Sequence, residues 1–385
     1  MPDIVTPWRS VAAAFALNGM LLGSWASRVP AVASGFGLDE GALGLLLLVM
    51  GVGALVSFPI AGKLADRFGA VRVTRWITVV YLVSIALVGL APVVPALGVA
   101  LFLFGMCHGS MDVAMNSWAA EVEQHMGRSV MSSFHAMWSL GAGLGAAGGF
   151  VATSFAAPVG LHFLLAALLA ALLLGPFLRL DWTSRIANGG TGEPVFTFPR
   201  GALIFVGLIA LGAGLGEGAA VDWSAVFLAD VLGAAESHAT LGYAVFSVTM
   251  VAMRLCVDRL ITRHGPRRVA LASGLLAASG YLICALSDSL TVALAGFVLM
   301  GLGYAAVIPL AFSRAAADPE IPAGQAIASV ATLGYGAMLM GPPAIGFIAD
   351  ASSLRISFAL VGLFALLIAV LSPVLGRARP APQTA

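Results

Sequence analysis

What constrains this chain most is the recurrence of unbroken apolar stretches long enough to cross a lipid bilayer. A hydrocarbon core needs about 20 consecutive apolar residues in helical form, since an isolated span must satisfy every backbone N–H and C=O group internally. Twelve such stretches are legible, at 10–33, 41–61, 74–92, 96–118, 131–154, 159–178, 200–230, 239–257, 268–287, 290–312, 325–348 and 356–375. Little of the 385-residue chain lies outside them. The charged fraction is 10%, against about 25% in an ordinary soluble domain, which excludes a soluble enzyme. The apolar fraction of 60% likewise excludes a disordered or fibrous chain. The expected fold class is therefore an all-α polytopic membrane protein with twelve transmembrane helices, its partner the lipid bilayer.

Charge placement gives an orientation. Sixteen of the 19 Lys and Arg residues fall on one side of the spans, only Arg355 falls in an opposite-side loop, and Arg28 and Arg254 lie within spans. The positive-inside rule then puts both termini in the cytoplasm of a cell whose inner (plasma) membrane holds the protein. A single Arg before the first span, with no small-residue cleavage site after it, reads as a retained helix. The net charge of +1 gives no field to attract nucleic acid. Cys107, Cys256 and Cys284 show no CxxC spacing and no His/Cys cluster, so neither a disulfide framework nor a zinc site is implied, and no cofactor.

The longest polar interruption, between Arg179 and Arg200, contains Asn188, Gly189, Gly190, Thr191 and Gly192. It predicts an N-terminal six-helix bundle over 1–180, a cytoplasmic linker over 181–199 and a C-terminal six-helix bundle over 200–385. An internal repeat supports the division. Ser139-Leu140-Gly141-Ala142-Gly143 matches Thr332-Leu333-Gly334-Tyr335-Gly336 at an offset of 193 residues, and Asp66-Arg67 matches Asp258-Arg259 at 192. Two homologous halves are the signature of a transporter whose site lies between pseudo-symmetric bundles, exposed alternately to each side.

Ionisable side chains inside the hydrocarbon are costly unless they face a cavity or a partner, so each is a candidate for the transport path. In the fourth span His108, Asp112 and Asn116 follow at i, i+4 and i+8 on one helical face, with His108 and Asp112 near enough to hydrogen-bond. Asp112 then either loads and releases a proton with His108 as modulator, or locks its helix to a neighbour. The seventh span carries Glu217, then Asp222 beside Trp223, among Gly212, Gly214, Gly216 and Gly218. Glu217 is the better placed for proton coupling, while Asp222 lies nearer the outer end, where it is solvated or pairs with Arg28. Candidate substrate contacts are Asn18, Trp25 and Arg28 in the first span, Asn116, His135, Trp138, Asp222, Trp223, Tyr304 and Tyr335. For the aromatic members, and for Tyr243, interfacial or ordinary packing is the competing reading.

Between the second and third spans stands Gly62-Lys63-Leu64-Ala65-Asp66-Arg67-Phe68-Gly69, followed by Arg72 and Arg75. It resembles the signature loop GxLaDRxGrr of the major facilitator superfamily, at the position where that family carries it. The resemblance implies two pseudo-symmetric six-helix bundles and a charge latch that breaks on opening, to which Gly62, Asp66, Arg67, Gly69 and Arg72 belong, with Arg254, Asp258 and Arg263 as gating counterparts. Further elements are similar to the fucose/proton symporter-like branch: Arg254-Leu255 with Leu260 to Arg263 and Pro266, Gly216-Glu217 with Trp223, Asp112 with Asn116, and Pro343 to Asp350. Ala26, four residues before Pro30, stands where that branch's sugar symporters carry an acid. Ala146 stands where the antiporter element GxxxGPxxGG has its proline.

The reading that follows is a secondary active transporter, not an enzyme. It moves a small, sugar-like polar solute by alternating access, coupled to protons, as a monomer. The alternative is a proton-driven exporter of amphipathic drugs or metabolites. No GxxxxGK[ST] loop occurs to bind a nucleotide.

Overall fold

With few charges and long Leu-, Val- and Ala-rich runs, helix is the form in which these stretches satisfy their own backbone. A computed structural model describes residues 5–38, 40–186, 199–234, 238 and 241–376, and contains no strand among them. The helices are α1 (Pro7–Ala26), α2 (Val29–Phe36), α3 (Glu40–Phe68), α4 (Ala70–Gly89), α5 (Val94–Met126), α6 (Met131–Ser154) and α7 (Val159–Leu173) in the first half of the chain. They are followed by α8 (Ala202–Val226), α9 (Leu241–His264), α10 (Pro266–Leu286), α11 (Leu290–Tyr304), α12 (Val307–Ala316), α13 (Ala323–Ala351) and α14 (Leu354–Leu371). Helix occupies each of the twelve stretches, and eight helices among the described residues are long and apolar enough to cross a membrane. Of the expected linker, residues 187–198 lie outside the described residues, including Asn188 to Gly192.

Two stretches are broken rather than continuous. The first divides at Ser27–Arg28, where Arg28 (φ −114, ψ 4) leaves helical geometry just before Pro30. The tenth divides between Tyr304 and Val307. The seventh ends in a π-helical turn, Phe227–Val231, a rare form that concentrates at functional sites.

The chain forms two compact units. One comprises Met1–Gly127, Ser133–Thr197 and Pro322–Ala328; the other comprises Arg128–Ser132, Phe198–Ile321 and Ser329–Ala385. The same devices recur in each. Gly69 (φ +89) is the single residue joining α3 to α4, and Gly265 (φ +81) joins α9 to α10. Both lie where a Cβ is strongly disfavoured, so a one-residue reversal requires glycine there.

Glycine also sets how closely helices approach. A Cβ on Gly141 or Gly145 of α6 would stand 2.1 and 2.2 Å from the Ala16 and Met20 carbonyl oxygens of α1. One on Gly19 or Gly23 of α1 would stand 2.0 Å from those of Trp138 and Ala142. In the second unit Gly214 of α8 bears the same relation to Gly334 of α13, at 2.0 Å. In both units the helices therefore touch backbone to backbone, as small residues permit where lipid supplies no hydrophobic drive between helices.

Candidate functional site

In the first unit the polar groups gather around the middle of α5. Asp112 is 4% exposed and Asn116 fully buried. Asn116 donates through Nδ2 to the Asp112 backbone oxygen at 2.8 Å and to Asp112 Oδ1 at 3.3 Å. His108 pairs through Nδ1 with the Tyr81 hydroxyl of α4 at 3.0 Å. Asn18 of α1, fully buried, points Nδ2 at Met115 Sδ, 3.7 Å away. The Asn18 and Asn116 Oδ1 atoms have no hydrogen-bond partner among the described residues. His135 of α6 meets the Phe15 ring edge-on at 5.2 Å. Buried amides and a buried carboxylate thus stand on neighbouring helices with amide acceptors left over, a chemistry suited to hydroxyl or amine donors.

Arg28 has another local attachment. It is 6% exposed, and its Nη2 donates at 2.8 Å to the Ala157 carbonyl oxygen, next to Ala156 in the left-handed region (φ +51). The guanidinium thus holds the turn that follows α6. Trp25, 2% exposed, packs between Phe104 and Phe163, and Trp138 is half-buried on α6.

The second unit centres on an ion pair between a buried arginine and a half-buried glutamate. Glu217 Oε2 of α8 and Arg254 Nη2 of α9 are 3.6 Å apart, with side chains 20% and 8% exposed. The pair lies between two helices of this unit, α8 and α9. Tyr281 of α10 donates its hydroxyl to the Gly216 carbonyl oxygen at 2.6 Å. The Tyr304 hydroxyl sits 1.9 Å from where a Cβ on Gly216 would be, so glycine is what admits that ring beside Glu217. Tyr281 and Tyr304 feel the Glu217 charge, and Tyr243 and Tyr335 that of Arg254. Tyr335 is half-buried on α13, and Asp222 and Trp223 follow on α8, exposed and half-buried. Sequence reasoning passed over Tyr81 and Tyr281, because a tyrosine in an apolar helix has no local mark of its partner.

The signature loop supplies one helix cap, and α9 supplies a second. Asp66, near the end of α3, accepts from the Gly324 amide through Oδ1 at 2.8 Å and from the Gln325 amide through Oδ2 at 2.9 Å. These are free amides of the first turn of α13, so the carboxylate acts as an N-cap supplied from another helix and meets the positive end of the helix dipole. Gly62 and Gly324 allow the contact, since a Cβ on either would lie within 2.6 Å of the other's carbonyl oxygen. Asp258 of α9 repeats the device. Its Oδ1 accepts from the Ser132 amide at 3.1 Å, in the first turn of α6, and from the Ser129 hydroxyl at 3.2 Å. Arg67, Arg72 and Arg263 are exposed, with Arg67 lying over the Phe68 ring at 5.1 Å.

Gly69 has a second neighbour. Ser184 accepts from the Val71 amide at 3.1 Å, Trp182 donates to Glu121 Oε2 at 2.7 Å, and the Arg185 amide donates to Glu121 Oε1 at 3.1 Å. Arg75 donates to the Leu178 carbonyl oxygen at 2.6 Å and also to that of Leu180. The segment leaving α7 is thereby strapped to the ends of α4 and α5.

Comparisons with other proteins agree with this architecture. The family model for the Major Facilitator Superfamily matches residues 11–215 and 206–385. A Sinorhizobium fredii (strain NBRC 101917 / NGR234) protein named "Uncharacterized transporter y4wD" is 61% identical over 375 residues, covering 97% of this chain and all of that one. A Yersinia pestis protein named as an uncharacterized MFS-type transporter is 38% identical over 360 residues, covering 92% of each chain. Among solved structures, the Escherichia coli fucose:proton symporter superposes with a TM-score of 0.80 at 14% identity, covering 97% of this chain and 99% of that one. A match over both halves, with a relative alike from end to end, shows that this chain belongs to the major facilitator superfamily.

Proposed function

We propose that the protein is a proton-coupled secondary transporter of a small polar organic solute, working by alternating access through twelve spans in two six-helix bundles. The observation that carries this reading is the Glu217–Arg254 pair, set largely out of water within the helices of a chain that carries few charges. A buried pair of this kind seldom stabilises a membrane protein as well as apolar packing would, and ionisable groups at such depth are characteristic of proton and substrate pathways. Asp112 and His108 give the first unit a titratable group of each kind, and Asn18 and Asn116 give it unspent acceptors. Asp66 and Asp258 serve as gates in this reading: each holds a helix start by hydrogen bonds to one carboxylate, which form and break without repacking a core.

The reading is tested by reconstituting the protein in proteoliposomes and imposing a pH gradient in the presence of radiolabelled polyols, sugars and sugar acids. Accumulation of at least one of them above its equilibrium level, abolished by a protonophore, is expected. Uptake of every compound only to equilibrium, with or without the gradient, would contradict it.

A further inference from the structure

Donors without acceptors gather where α6 turns into α7. Arg28, 6% exposed at the break between α1 and α2, donates through Nη2 to the carbonyl oxygen of Ala157, the residue before the Pro158 that opens α7. Its Nε and Nη1 are buried without a hydrogen-bond partner, and the side chain forms no ion pair among the described residues. His162, one turn into α7 and also 6% exposed, leaves Nδ1 buried and without a partner, within electrostatic reach of the guanidinium. Gly149 of α6 lets the two sides converge. A Cβ there would stand 1.9 Å from Ser27 Oγ and 3.5 Å from His162 Cε1.

The start of α7 adds backbone donors. Pro158 has no N–H and supplies no side-chain cap, and it is the His162 amide that donates back to the Pro158 carbonyl oxygen, at 3.1 Å. The amides of Val159, Gly160 and Leu161 are therefore the open end of a 15-residue helix, at the positive pole of its dipole. A guanidinium does not give up its proton, so Arg28 stays charged, and the Ala157 carbonyl offers it only a partial counter-charge. Burying a cation in that condition is costly. Water satisfies such donors but leaves the charge unbalanced, whereas an anion does both. Donors spread over guanidinium, imidazole and backbone amides suit a tetrahedral oxyanion, which has several oxygens to distribute among them. We propose that Arg28, His162 and the first turn of α7 form a phosphate-binding site that ties the α1–α2 break to the α6–α7 turn. The phosphate comes from a phospholipid headgroup or from solution. Phe155 and Leu161, 82% and 47% exposed, flank the turn between two bilayer-length stretches, which is headgroup depth. The site lies in the first unit and does not depend on which solute is carried.

Thermal stability of the purified, delipidated full-length protein, in a phosphate-free detergent at neutral pH, tests this in two arms. One compares sodium phosphate with sodium chloride at equal ionic strength. The other compares dioleoylphosphatidylglycerol with dioleoylglycerol, which has the same acyl chains and no phosphate. The melting temperature is expected to rise in at least one arm; a rise with inorganic phosphate shows that a soluble ion suffices, and a rise with the lipid alone identifies a headgroup. Arg28→Gln is expected to bind the same probe about tenfold more weakly, with Arg28→Lys, which keeps the charge, in between. Val159→Pro removes one open amide at a first helical position, where proline is tolerated, and leaves Arg28 in place. It is also expected to weaken the probe. No rise in either arm overturns the proposal. Undiminished affinity in Arg28→Gln, or in Val159→Pro where Arg28→Gln fails to fold, overturns it too.

Discussion

At the scale of single residues, the two caps are chemically unequal. Asp66 takes two backbone amides of one helix start, whereas Asp258 takes one amide and one serine hydroxyl. Losing a cap costs about 1 kcal/mol, and removing a carboxylate from a helix N-terminus costs about 0.3–1 kcal/mol more. Asp66→Ala is therefore expected to lower the melting temperature in detergent, and by more than Asp258→Ala does. Equal melting temperatures for Asp66→Ala and the parent would refute the capping role. Gly216→Ala is expected to be severe for another reason, because its methyl would overlap the Tyr304 hydroxyl beside the Glu217–Arg254 pair. Overpacking usually costs about 1–3 kcal/mol. Less folded protein, together with loss of transport in what does fold, is the expected result by size-exclusion chromatography and flux.

These residues also mark how far the sequence could be read. The spacing of His108, Asp112 and Asn116 placed them on one face, and Asn116 does bond Asp112. It also suggested a His108–Asp112 bond, whereas the His108 Nδ1 partner is Tyr81, 27 residues away on α4. Similarly nothing in the motif around Arg254 marked Glu217, on the preceding helix, as its ion-pair partner. Helical periodicity reports neighbours along one helix. Which helix lies opposite is set by packing, which no local pattern records.

At the scale of elements, the glycines decide which helices meet. In the stretch from Gly141 to Gly149, Gly141 and Gly145 abut the backbone of α1. Gly143 lies between them on the exposed side, and a Cβ there meets nothing within 4 Å. Gly143→Ala is therefore expected to leave stability unchanged or slightly raised, since alanine favours helix by about 1 kcal/mol over glycine. Gly141→Ala and Gly145→Ala are expected to prevent folding or to lower the melting temperature sharply. Comparable behaviour of the three variants would show that α1 and α6 do not pack through this seam. The breaks at Ser27–Arg28 and after Tyr304, and the π-turn at Phe227–Val231, were not legible as breaks. Hydropathy continues across them, and only the backbone changes course.

For the whole molecule, the apolar stretches, the division into repeats and the loop from Gly62 to Gly69 sufficed for fold and family, because bilayer thickness and backbone satisfaction leave few alternatives. The solute is another matter. A few side chains on one scaffold decide what is carried, so the transport mechanism rests on the buried ionisable groups. The direct measurement is solute flux in proteoliposomes under an imposed pH gradient, comparing wild type with Asp112→Asn and Glu217→Gln. The predicted result is gradient-driven accumulation in the wild type, and in at least one variant retention of equilibrium exchange with loss of accumulation. Full accumulation with unchanged pH dependence in both variants would contradict the assignment of proton coupling to these carboxylates.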